Sequence, residues 1–480
     1  MNSRMGKFME NRTKIIATIG PASSSEEILS ELIKNGVSLT RLNFSFGTHS
    51  EHKDRIQKIR KISDELDIPI AIIQDLQGPK LRVQKILDGS IDLKANDSIT
   101  IVDSLDIDEK TISIAYPNLA NYVKAGMHLL LDDGLIELKI EEIDGTNIHC
   151  KVLHGGHLVE GKGLNIPSSG LKIPAITEKD KIDLKFGLEN DVDYVALSFV
   201  KTEQDILALK KLITEAKKET QIIAKIEKPE AIENITKILQ ATHAVMVARG
   251  DLAIELPLER VPSLQRRLID LCHIYTKPVI IATQMLYTME VNPRPSRAEV
   301  SDVAHAIHEG TDAVMLSGET AIGKYPIKSV KTMVKIIREA EKTSPRFSYG
   351  VKYTLESIYR IPSAASQAVC FLVNDLNAKA IFSFTASGFT ALAISKQRPT
   401  TPIIALTPFK EVQRRCCLYW GVRSIVVENI DSTDKMFELS ERLAVQEKLA
   451  KTDDIIIITA GIPFGIKGTT NLLKIHTIKK

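Results

Sequence analysis

The sequence predicts an α/β fold: a (β/α)8 barrel of the TIM type, with an inserted small β-domain and a C-terminal three-layer α/β domain. Three observations predict it. Short, nearly all-apolar runs alternate with amphipathic helical stretches, as in a parallel sheet covered by helices. Eight such runs occupy the first two-thirds of the chain, and most begin about 23–35 residues after the previous one, roughly one strand–helix unit. One interval is far longer and leaves room for an inserted domain.

The barrel is predicted from the number of these units, because eight strand–helix units are what a closed (β/α)8 barrel requires. We assign it to residues 1–82 and 175–345. Its eight strands are expected at 13–20, 39–44, 69–76, 194–200, 221–227, 244–250, 278–284 and 313–318.

The long interval between the third and fourth strands has a different character. Hairpin signals occur at Asp88-Gly89, Asp133-Gly134 and Asp144-Gly145, and apolar residues alternate at Ile148, Cys150 and Val152. We therefore expect residues 83–174 to form a β-domain at the C-terminal rim of the barrel. In that position it could close over an active site as a lid.

After about residue 345 the alternation resumes with fewer units. This predicts a separate α/β domain over 346–480, joined to the barrel within 344–362. Its strands are expected near 379–385, 402–407, 423–428 and 454–459.

Composition is that of a globular protein and excludes several classes. The 480 residues are 44% hydrophobic and carry a formal net charge of +3, so no overall field favours nucleic acid or a membrane surface. No apolar stretch approaches the roughly 18–20 residues that span a bilayer, and the N-terminus lacks the apolar segment of a secretory signal. The five scattered cysteines indicate reduced, structural thiols. We expect a cytoplasmic protein with neither nucleic acid nor membrane as partner.

The predicted strand ends carry residues that suit chemistry on a phosphorylated acid. Side chains at the C-terminal ends of barrel strands line the active site, so these residues are expected to converge. Two carboxylates suit Mg²⁺, or Mn²⁺, which takes its other oxygen ligands from substrate or water. Nearby cations would neutralise a moving phosphoryl group. The residues concerned are Arg41, Asn43, Ser45, Asp75, Lys225, Glu227, Gly250, Asp251 and Thr283.

Each of these groups also has an ordinary interpretation. A Lys-x-Glu pair on a strand is usually a surface ion pair, Arg249-Gly250-Asp251 alone is usually a turn, and Thr283 alone would be a core hydroxyl. What indicates a site is the coincidence of matching chemistry at several independent strand ends.

At these residues the chain resembles the pyruvate kinases, and the resemblance covers nearly all of it from Thr13 onward. The motifs that carry it are Ile223-Ala-Lys-Ile-Glu227, Met246-Val-Ala-Arg-Gly-Asp-Leu252, Ala282-Thr-Gln-Met-Leu286, Asn292-Pro-Arg-Pro-Ser-Arg-Ala-Glu299 and Met315-Leu-Ser-Gly-Glu-Thr320. The resemblance implies glycolytic transfer of a phosphoryl group from phosphoenolpyruvate to ADP, followed by protonation of enolpyruvate to pyruvate. It also implies a homotetramer, with 285–345 and the C-terminal domain as candidate interfaces.

The resemblance implies a role for each site residue. Lys225 would stabilise charge on the transferring group, and Arg41 would contact the phosphate. Glu227 and Asp251 would ligate Mg²⁺. Gly250, Asp251 and Thr283 would hold the pyruvyl group, with Thr283 near the path of proton delivery. The nucleotide contacts would be Asn43, Arg82 and Lys162.

The chain departs from most of the family at the monovalent-cation site. Most members bind K⁺ through positions matching Asn43, Ser45, Asp75 and the carbonyl of residue 76, with a nearby glutamate. Here that glutamate is Lys80, the usual threonine at 76 is Leu76, and the frequent histidine after Ser45 is Phe46. A lysine ammonium can replace K⁺ and would repel it. We expect activity without K⁺; the alternative is that Lys80 swings to solvent and leaves a K⁺ site intact.

A loop in the C-terminal domain matches the family's allosteric phosphate loop. Its residues Thr385, Ser387, Gly388 and Thr390 follow a predicted strand and open a predicted helix, where hydroxyls and free N–H groups can hold a phosphate. An N-cap without a ligand is the alternative. We expect activation by a sugar monophosphate or AMP, with fructose 1,6-bisphosphate second, and 461–471 could complete the pocket.

Two other functions would share parts of this pattern. A Mg²⁺-dependent barrel lyase or aldolase acting on pyruvate-type acids would use the two carboxylates but would not need Lys225, a lid or ADP. A non-catalytic metabolite-binding paralogue would be expected to lose Lys225, Glu227 or Asp251, and this chain keeps all three.

Overall fold

The computed structural model describes residues 11–479 except 115, 133, 167–173, 344–359 and 463–469. The strands in chain order are β1 (Lys14–Thr18), β2 (Val37–Asn43), β3 (Ala71–Asp75), β4 (Leu81–Ile86), β5 (Ser90–Leu93), β6 (Ser98–Val102), β7 (Thr111–Ile114), β8 (His128–Leu131), β9 (Ile136–Asp144), β10 (Asn147–His154), β11 (Gly156–Val159), β12 (Gly163–Asn165), β13 (Tyr194–Leu197), β14 (Gln221–Ile226), β15 (Ala244–Ala248), β16 (Val279–Ala282), β17 (Ala313–Leu316), β18 (Ile381–Phe384), β19 (Ile403–Thr407), β20 (Val422–Val426), β21 (Ile455–Gly461) and β22 (Thr470–Thr477).

The helices are given in the same way. They are α1 (Glu26–Lys34), α2 (His49–Leu66), α3 (Glu178–Glu189), α4 (Glu203–Glu215), α5 (Pro229–Glu233), α6 (Ile235–Ala241), α7 (Arg249–Glu255), α8 (Val261–Ile274), α9 (Arg297–His308), α10 (Gly318–Ala321), α11 (Pro326–Thr343), α12 (Arg360–Asp375), α13 (Phe389–Ser395), α14 (Lys410–Arg415) and α15 (Thr433–Gln446).

The first two-thirds of the chain form a closed parallel barrel in the order β1-β17-β16-β15-β14-β13-β3-β2, which confirms the eight predicted strands. All five residues of β3 and of β15 are buried, as expected for strands covered on both faces. Capping boxes fix where outer helices begin. Thr48 and Glu51 bond reciprocally at the start of α2, and Ser296 and Glu299 do so at the start of α9.

The material between β3 and β13 is the predicted small β-domain, here called the lid. Its main sheet is a closed barrel in the order β10-β6-β7-β4-β12-β8-β9. Asp144-Gly145 joins β9 to β10 in the predicted hairpin, with Gly145 at φ 59°. The turn predicted at Asp133 falls partly outside the described residues. Strand β4 begins at Leu81, slightly before the boundary that we placed at 83.

The C-terminal region has a five-stranded sheet in the order β20-β19-β18-β21-β22. Helices α12 and α13 pack on one face and α15 on the other, which gives the three predicted layers. The four predicted strands are confirmed. The fifth, β22, pairs antiparallel with β21 at the edge and was not predicted, because its few apolar residues are mixed with polar ones and half of the strand is exposed. The junction predicted at 344–362 lies mostly outside the described residues.

The C-terminal domain packs against the N-terminal end of the barrel. Tyr194, the first residue of β13, donates from its hydroxyl to the Arg415 carbonyl oxygen at 2.8 Å. At the foot of β17, Asp312 Oδ2 lies 2.5 Å from Lys396 Nζ. The opposite end of the barrel, where the strands terminate, is therefore the end available for a site.

All five cysteines are free thiols. No helix among the described residues is both long and apolar enough to cross a bilayer.

Candidate active site

The ends of β3, β13 and β14 meet at the ammonium group of Lys225. Its Nζ lies 3.3 Å from Asp75 Oδ1 and 3.0 Å from Glu227 Oε1, and it donates to Ser198 Oγ at 2.7 Å. Burial alone would lower the pKa of Lys225, but the two carboxylates more than reverse this and raise it above its ordinary value. Lys225 is thus a fixed, permanently charged cation with 11% of its side chain exposed.

Arg41 lies beside Lys225 and shares its counter-ion. Arg41 Nε donates to Asp75 Oδ2 at 2.6 Å, and Arg41 Nη1 donates to Thr18 Oγ1 at 3.1 Å. Burial raises the pKa of Asp75, but Lys225 and Arg41 outweigh burial and lower it below its usual range. Asp75 therefore stays ionised and orients both cations toward the barrel mouth.

Glu227 is a buried carboxylate with capacity for another cation. Its Oε2 accepts from the backbone N–H of Phe199 at 2.8 Å. Its Oε1 accepts no hydrogen bond from any described residue, although the ammonium of Lys225 lies close to it. Burial raises the pKa of Glu227, Lys225 opposes this, and the nearby Asp251 adds to the rise. A bound divalent cation would relieve the cost of this charge.

Helix α7 brings Gly250 and Asp251 to the site from the end of β15. The N–H of Gly250 donates to Thr283 Oγ1 at 2.8 Å, and that hydroxyl donates to the Ala282 carbonyl oxygen at 2.6 Å. Thr283 has φ 68°, a left-handed conformation that is rare for a β-branched residue. Arg249 Nη2 donates to the Thr283 carbonyl oxygen at 2.7 Å and so supports this conformation.

The residues present fit a divalent metal held partly by substrate. Among the described residues no group of three or more His, Cys, Asp or Glu side chains could hold a metal by itself. The carboxylates of Glu227 and Asp251 lie near enough that the charge of Asp251 helps to raise the pKa of Glu227. Mg²⁺ prefers such sites, because it uses one or two carboxylates and completes its octahedron with water or phosphate oxygens.

Lys80 extends into the site. Its Nζ lies 3.4 Å from Asp251 Oδ1. The aliphatic part of the Lys80 side chain packs against Gly163 of the lid. The packing is so close that a Cβ at Gly163 would lie 2.8 Å from Lys80 Cε. Lys80 therefore lies between lid strand β12 and the α7 carboxylate in this structure.

The other residues of the predicted monovalent-cation region lie around the ends of β2 and β3. Strand β2 ends at Asn43, so Ser45 lies two residues beyond the strand that carries Arg41 and Asn43. Ser45 instead lies in a turn, where its N–H donates to Asn43 Oδ1 at 3.1 Å. The carbonyl oxygen of Leu76 accepts from Ser198 Oγ at 2.8 Å.

Two of the candidate nucleotide residues, Arg82 on β4 and Lys162 just before β12, belong to the lid. Arg82 Nη1 donates to the Gly161 carbonyl oxygen at 2.7 Å, and its guanidinium carbon lies 5.8 Å from the centroid of the exposed Phe46 ring. Lys162 Nζ lies 2.7 Å from Asp132 Oδ1 within the lid. Arg82 thus connects the lid with the loop that follows Asn43.

The predicted phosphate loop lies between β18 and α13. Thr385 Oγ1 accepts from the Gly388 N–H at 2.8 Å, and Ser387 Oγ accepts from the Phe389 N–H at 3.4 Å. Thr390 Oγ1 lies 2.6 Å from Thr470 Oγ1 on β22. Most of 461–471, which we expected to complete this pocket, lies outside the described residues.

Sequence reasoning missed several residues of the site. Ser198 looks like any serine at a strand end, yet it bonds to Lys225. Lys228 and Glu255 form a buried ion pair next to the candidate metal ligands. A charged residue directly after Glu227 was the available signal, but its partner could not be known without the fold.

Comparison with known proteins agrees with this arrangement. Sequence profiles described as "Pyruvate kinase, barrel domain" and "Pyruvate kinase, alpha/beta domain" match residues 10–330 and 363–476. The chain is 47% identical over 476 residues to pyruvate kinase 2 of Synechocystis sp., covering 98% of this chain and 80% of that protein. It is 44% identical over 470 residues to a pyruvate kinase of Staphylococcus aureus, covering 97% and 80%. The solved structure of a pyruvate kinase from Cryptosporidium parvum is similar with a TM-score of 0.92 and 34% identity, covering 98% of this chain and 97% of that one.

The fold and the site together define a phosphotransferase that works at the mouth of a (β/α)8 barrel. Both domain profiles and the near-full-length relatives show that the chain belongs to the pyruvate kinase family.

Proposed function

We propose that this chain transfers the phosphoryl group of phosphoenolpyruvate to ADP and so forms ATP and pyruvate. The observation that carries the proposal is the buried ammonium of Lys225, held by Asp75, Glu227 and Ser198 beside Arg41. Phosphoryl transfer requires positioning and charge neutralisation more than covalent chemistry by the protein. A cation that is fixed in advance stabilises developing charge without reorganisation.

In this proposal Arg41 binds the phosphate of phosphoenolpyruvate and Lys225 stabilises the transferring group. Asp75 holds both cations, which limits the freedom of the two long side chains. Glu227 and Asp251 would hold Mg²⁺, and Mn²⁺ is an alternative. When bound, the metal would supply Lewis-acid stabilisation of negative charge on substrate oxygens.

Gly250, Asp251 and Thr283 would hold the pyruvyl group. Loss of the phosphoryl group leaves enolpyruvate, which must gain a proton at carbon to become pyruvate. The Thr283 hydroxyl already links Gly250 N to the Ala282 carbonyl oxygen. In this proposal that hydroxyl positions the enol, and it lies near the path of the incoming proton.

ADP would bind between barrel and lid at Asn43, Arg82 and Lys162. Support comes from Arg82, whose guanidinium reaches the Phe46 ring across the gap between lid and barrel. We assign 83–174 as the lid domain and 346–480 as the regulatory domain, and we expect a homotetramer in the cytoplasm. Closing of the lid would exclude water from the transferring group.

We further propose that K⁺ is not required. The position of Lys80 supports this, because its ammonium faces Asp251 within the site and does not extend into solvent. At that place it would supply positive charge and repel an additional monovalent cation.

Allosteric activation by a phosphorylated metabolite, a sugar monophosphate or AMP, is proposed at Thr385, Ser387, Gly388 and Thr390. The hydroxyls of Thr385 and Ser387 accept hydrogen bonds from the N–H groups of Gly388 and Phe389 in the same loop. An entering phosphate could accept hydrogen bonds from the same groups.

The proposed reaction is tested by incubating the protein with phosphoenolpyruvate and the metal, and by measuring pyruvate release with and without ADP. We expect release only with ADP and equal amounts of ATP. A lyase would release pyruvate without ADP, and a metabolite-binding paralogue would release none under either condition.

A further inference from the structure

A partly buried ion pair joins the residue after Glu227 to helix α7, which carries Asp251. Lys228 follows Glu227 directly, and Glu255 lies one helical turn after Asp251 on α7. Lys228 Nζ lies 2.5 Å from Glu255 Oε1, with 20% and 3% of the two side chains exposed. Fixing this pair therefore fixes how far α7 lies from the end of β14.

The same lysine also lies beside the other partner of Glu227. Lys228 Nζ is 5.7 Å from the centroid of the Phe199 ring, and the Phe199 N–H is the donor to Glu227 Oε2. Burying an ion pair costs desolvation energy that often cancels its attraction, so a buried pair is weak evidence for stability. The contacts of Lys228 with Glu255 and Phe199 instead favour a role in holding β14 and α7 in their relative positions.

The lid reaches this pair through Asn165 on β12. Asn165 Nδ2 lies 3.4 Å from Glu255 Oε1, at the long limit of a hydrogen bond. Asn165 is buried, and its Oδ1 accepts no hydrogen bond from any described residue. The lid also approaches α7 at Gly134, where a Cβ, if present, would lie 4.0 Å from Ile254 Cγ1. A small closing movement of the lid would shorten the contact to Glu255.

We propose that Lys228 and Glu255 are positioning residues that set the spacing of Glu227 and Asp251 for the metal, and that Asn165 couples the lid to this spacing through Glu255. The inference rests on the proposed metal site. It predicts that metal binding and lid position influence each other, because the lid contacts Glu255, which lies on α7 together with the proposed metal ligand Asp251.

The test measures Mn²⁺ binding to the full-length metal-free protein by electron paramagnetic resonance. We expect Lys228→Gln and Glu255→Gln each to raise the Kd for Mn²⁺ about 10–100-fold, as replacing groups behind metal ligands typically does. The double variant should lose little more than either single one, since both remove the same interaction. Lys228→Arg, which keeps the charge, should recover much of the affinity.

The matched control is Arg60→Gln. Arg60 Nη2 lies 2.8 Å from Asp193 Oδ2 with 23% and 2% of the side chains exposed, at the opposite end of the barrel. Its loss should lower thermal stability but leave the Kd for Mn²⁺ unchanged. If Lys228→Gln does not fold, the smaller change Lys228→Arg carries the test, with an affinity measurably below wild type expected.

Coupling to the lid is measured by hydrogen exchange of the β12 amides. Mn²⁺ should protect β12 in the wild type but not in Asn165→Ala or Glu255→Gln. The proposal is overturned if the Kd for Mn²⁺ of Lys228→Gln and of Glu255→Gln stays within twofold of the wild-type value. It is also overturned if Mn²⁺ protects the β12 amides equally in all of these proteins. The metal site itself is checked separately: if Glu227→Gln binds Mn²⁺ as tightly as wild type, the proposed function fails at its metal site, whatever the pair does.

Discussion

The ammonium nitrogen of Lys225 lies 3.0 Å from Oε1 of Glu227, and 11% and 1% of the two side chains are exposed. A permanent cation and the carboxylate that we propose as a metal ligand are thus adjacent in one buried site. This juxtaposition links the electrostatics of phosphoryl transfer to metal binding, and the first two predictions follow from it.

Replacing Lys225 by Met should lower kcat by at least about 10²–10³-fold, the loss typical of removing one preorganised electrostatic group. The KM for ADP should change little, because Lys225 lies among barrel strand ends and away from the lid. Steady-state kinetics measures both. Removing one partner of a buried pair can also cost about 3–5 kcal/mol of stability, so folding is verified by thermal unfolding. Lys211→Met, on the exposed face of α4, is the control. A Lys225→Met protein with near-normal kcat would contradict the role.

In the metal-free protein, the free energy of unfolding of Glu227→Gln should increase relative to that of the wild type as pH rises. The pKa of Glu227 is raised in the folded state, so the unfolded chain loses this proton at lower pH than the native protein does. Ionisation therefore costs the wild type stability between the unfolded pKa, about 4.3, and the higher native pKa. Denaturant unfolding in EDTA across this window measures the difference. If the difference in free energy of unfolding between the two proteins does not change with pH, the native pKa of Glu227 is not raised.

The wild-type protein should have equal rates in K⁺-free and K⁺-replete buffers, and Lys80→Glu should become dependent on K⁺. The reason is that the variant replaces the internal ammonium by a carboxylate that needs a cation. Steady-state rates at several K⁺ concentrations test both statements. Lys139→Glu, an exposed change on β9, should stay independent of K⁺. A strong K⁺ requirement in the wild type would end this proposal.

Replacing Thr385 and Ser387 by Ala should abolish activation by phosphorylated effectors while basal activity persists. The two hydroxyls organise the loop through the N–H groups of Gly388 and Phe389. Rates with a panel of sugar phosphates and nucleotides measure the effect. Ser432→Ala removes a comparable hydroxyl, the N-cap of α15, and should leave activation intact. Unchanged activation in the double variant would place the effector elsewhere.

Much of the fold could be predicted because parallel strands buried on both faces are read directly from apolar runs. The convergence of Lys225, Glu227 and Asp75 also followed, since strand ends meet at one rim. What could not be predicted depends on contacts between distant segments. Strand β22 mixes apolar and polar residues, and its place is set by pairing with β21 and by packing against α12. The left-handed backbone at Thr283 is opposed by its own side chain and is imposed by its surroundings.

The same limit applies to Glu255. Its position at the end of the short helix α7 does not indicate a partner in the sequence. Only the fold brings it to Lys228 and to Asn165 of the lid.

The most direct test of the account is ³¹P NMR of phosphoenolpyruvate and ADP with the purified protein and Mg²⁺. We predict that the phosphoenolpyruvate signal is replaced one for one by the γ-phosphate of ATP, and that Lys225→Met shows almost no conversion under the same conditions. Release of inorganic phosphate or pyruvate without ATP, or full conversion by Lys225→Met, would contradict the central claim.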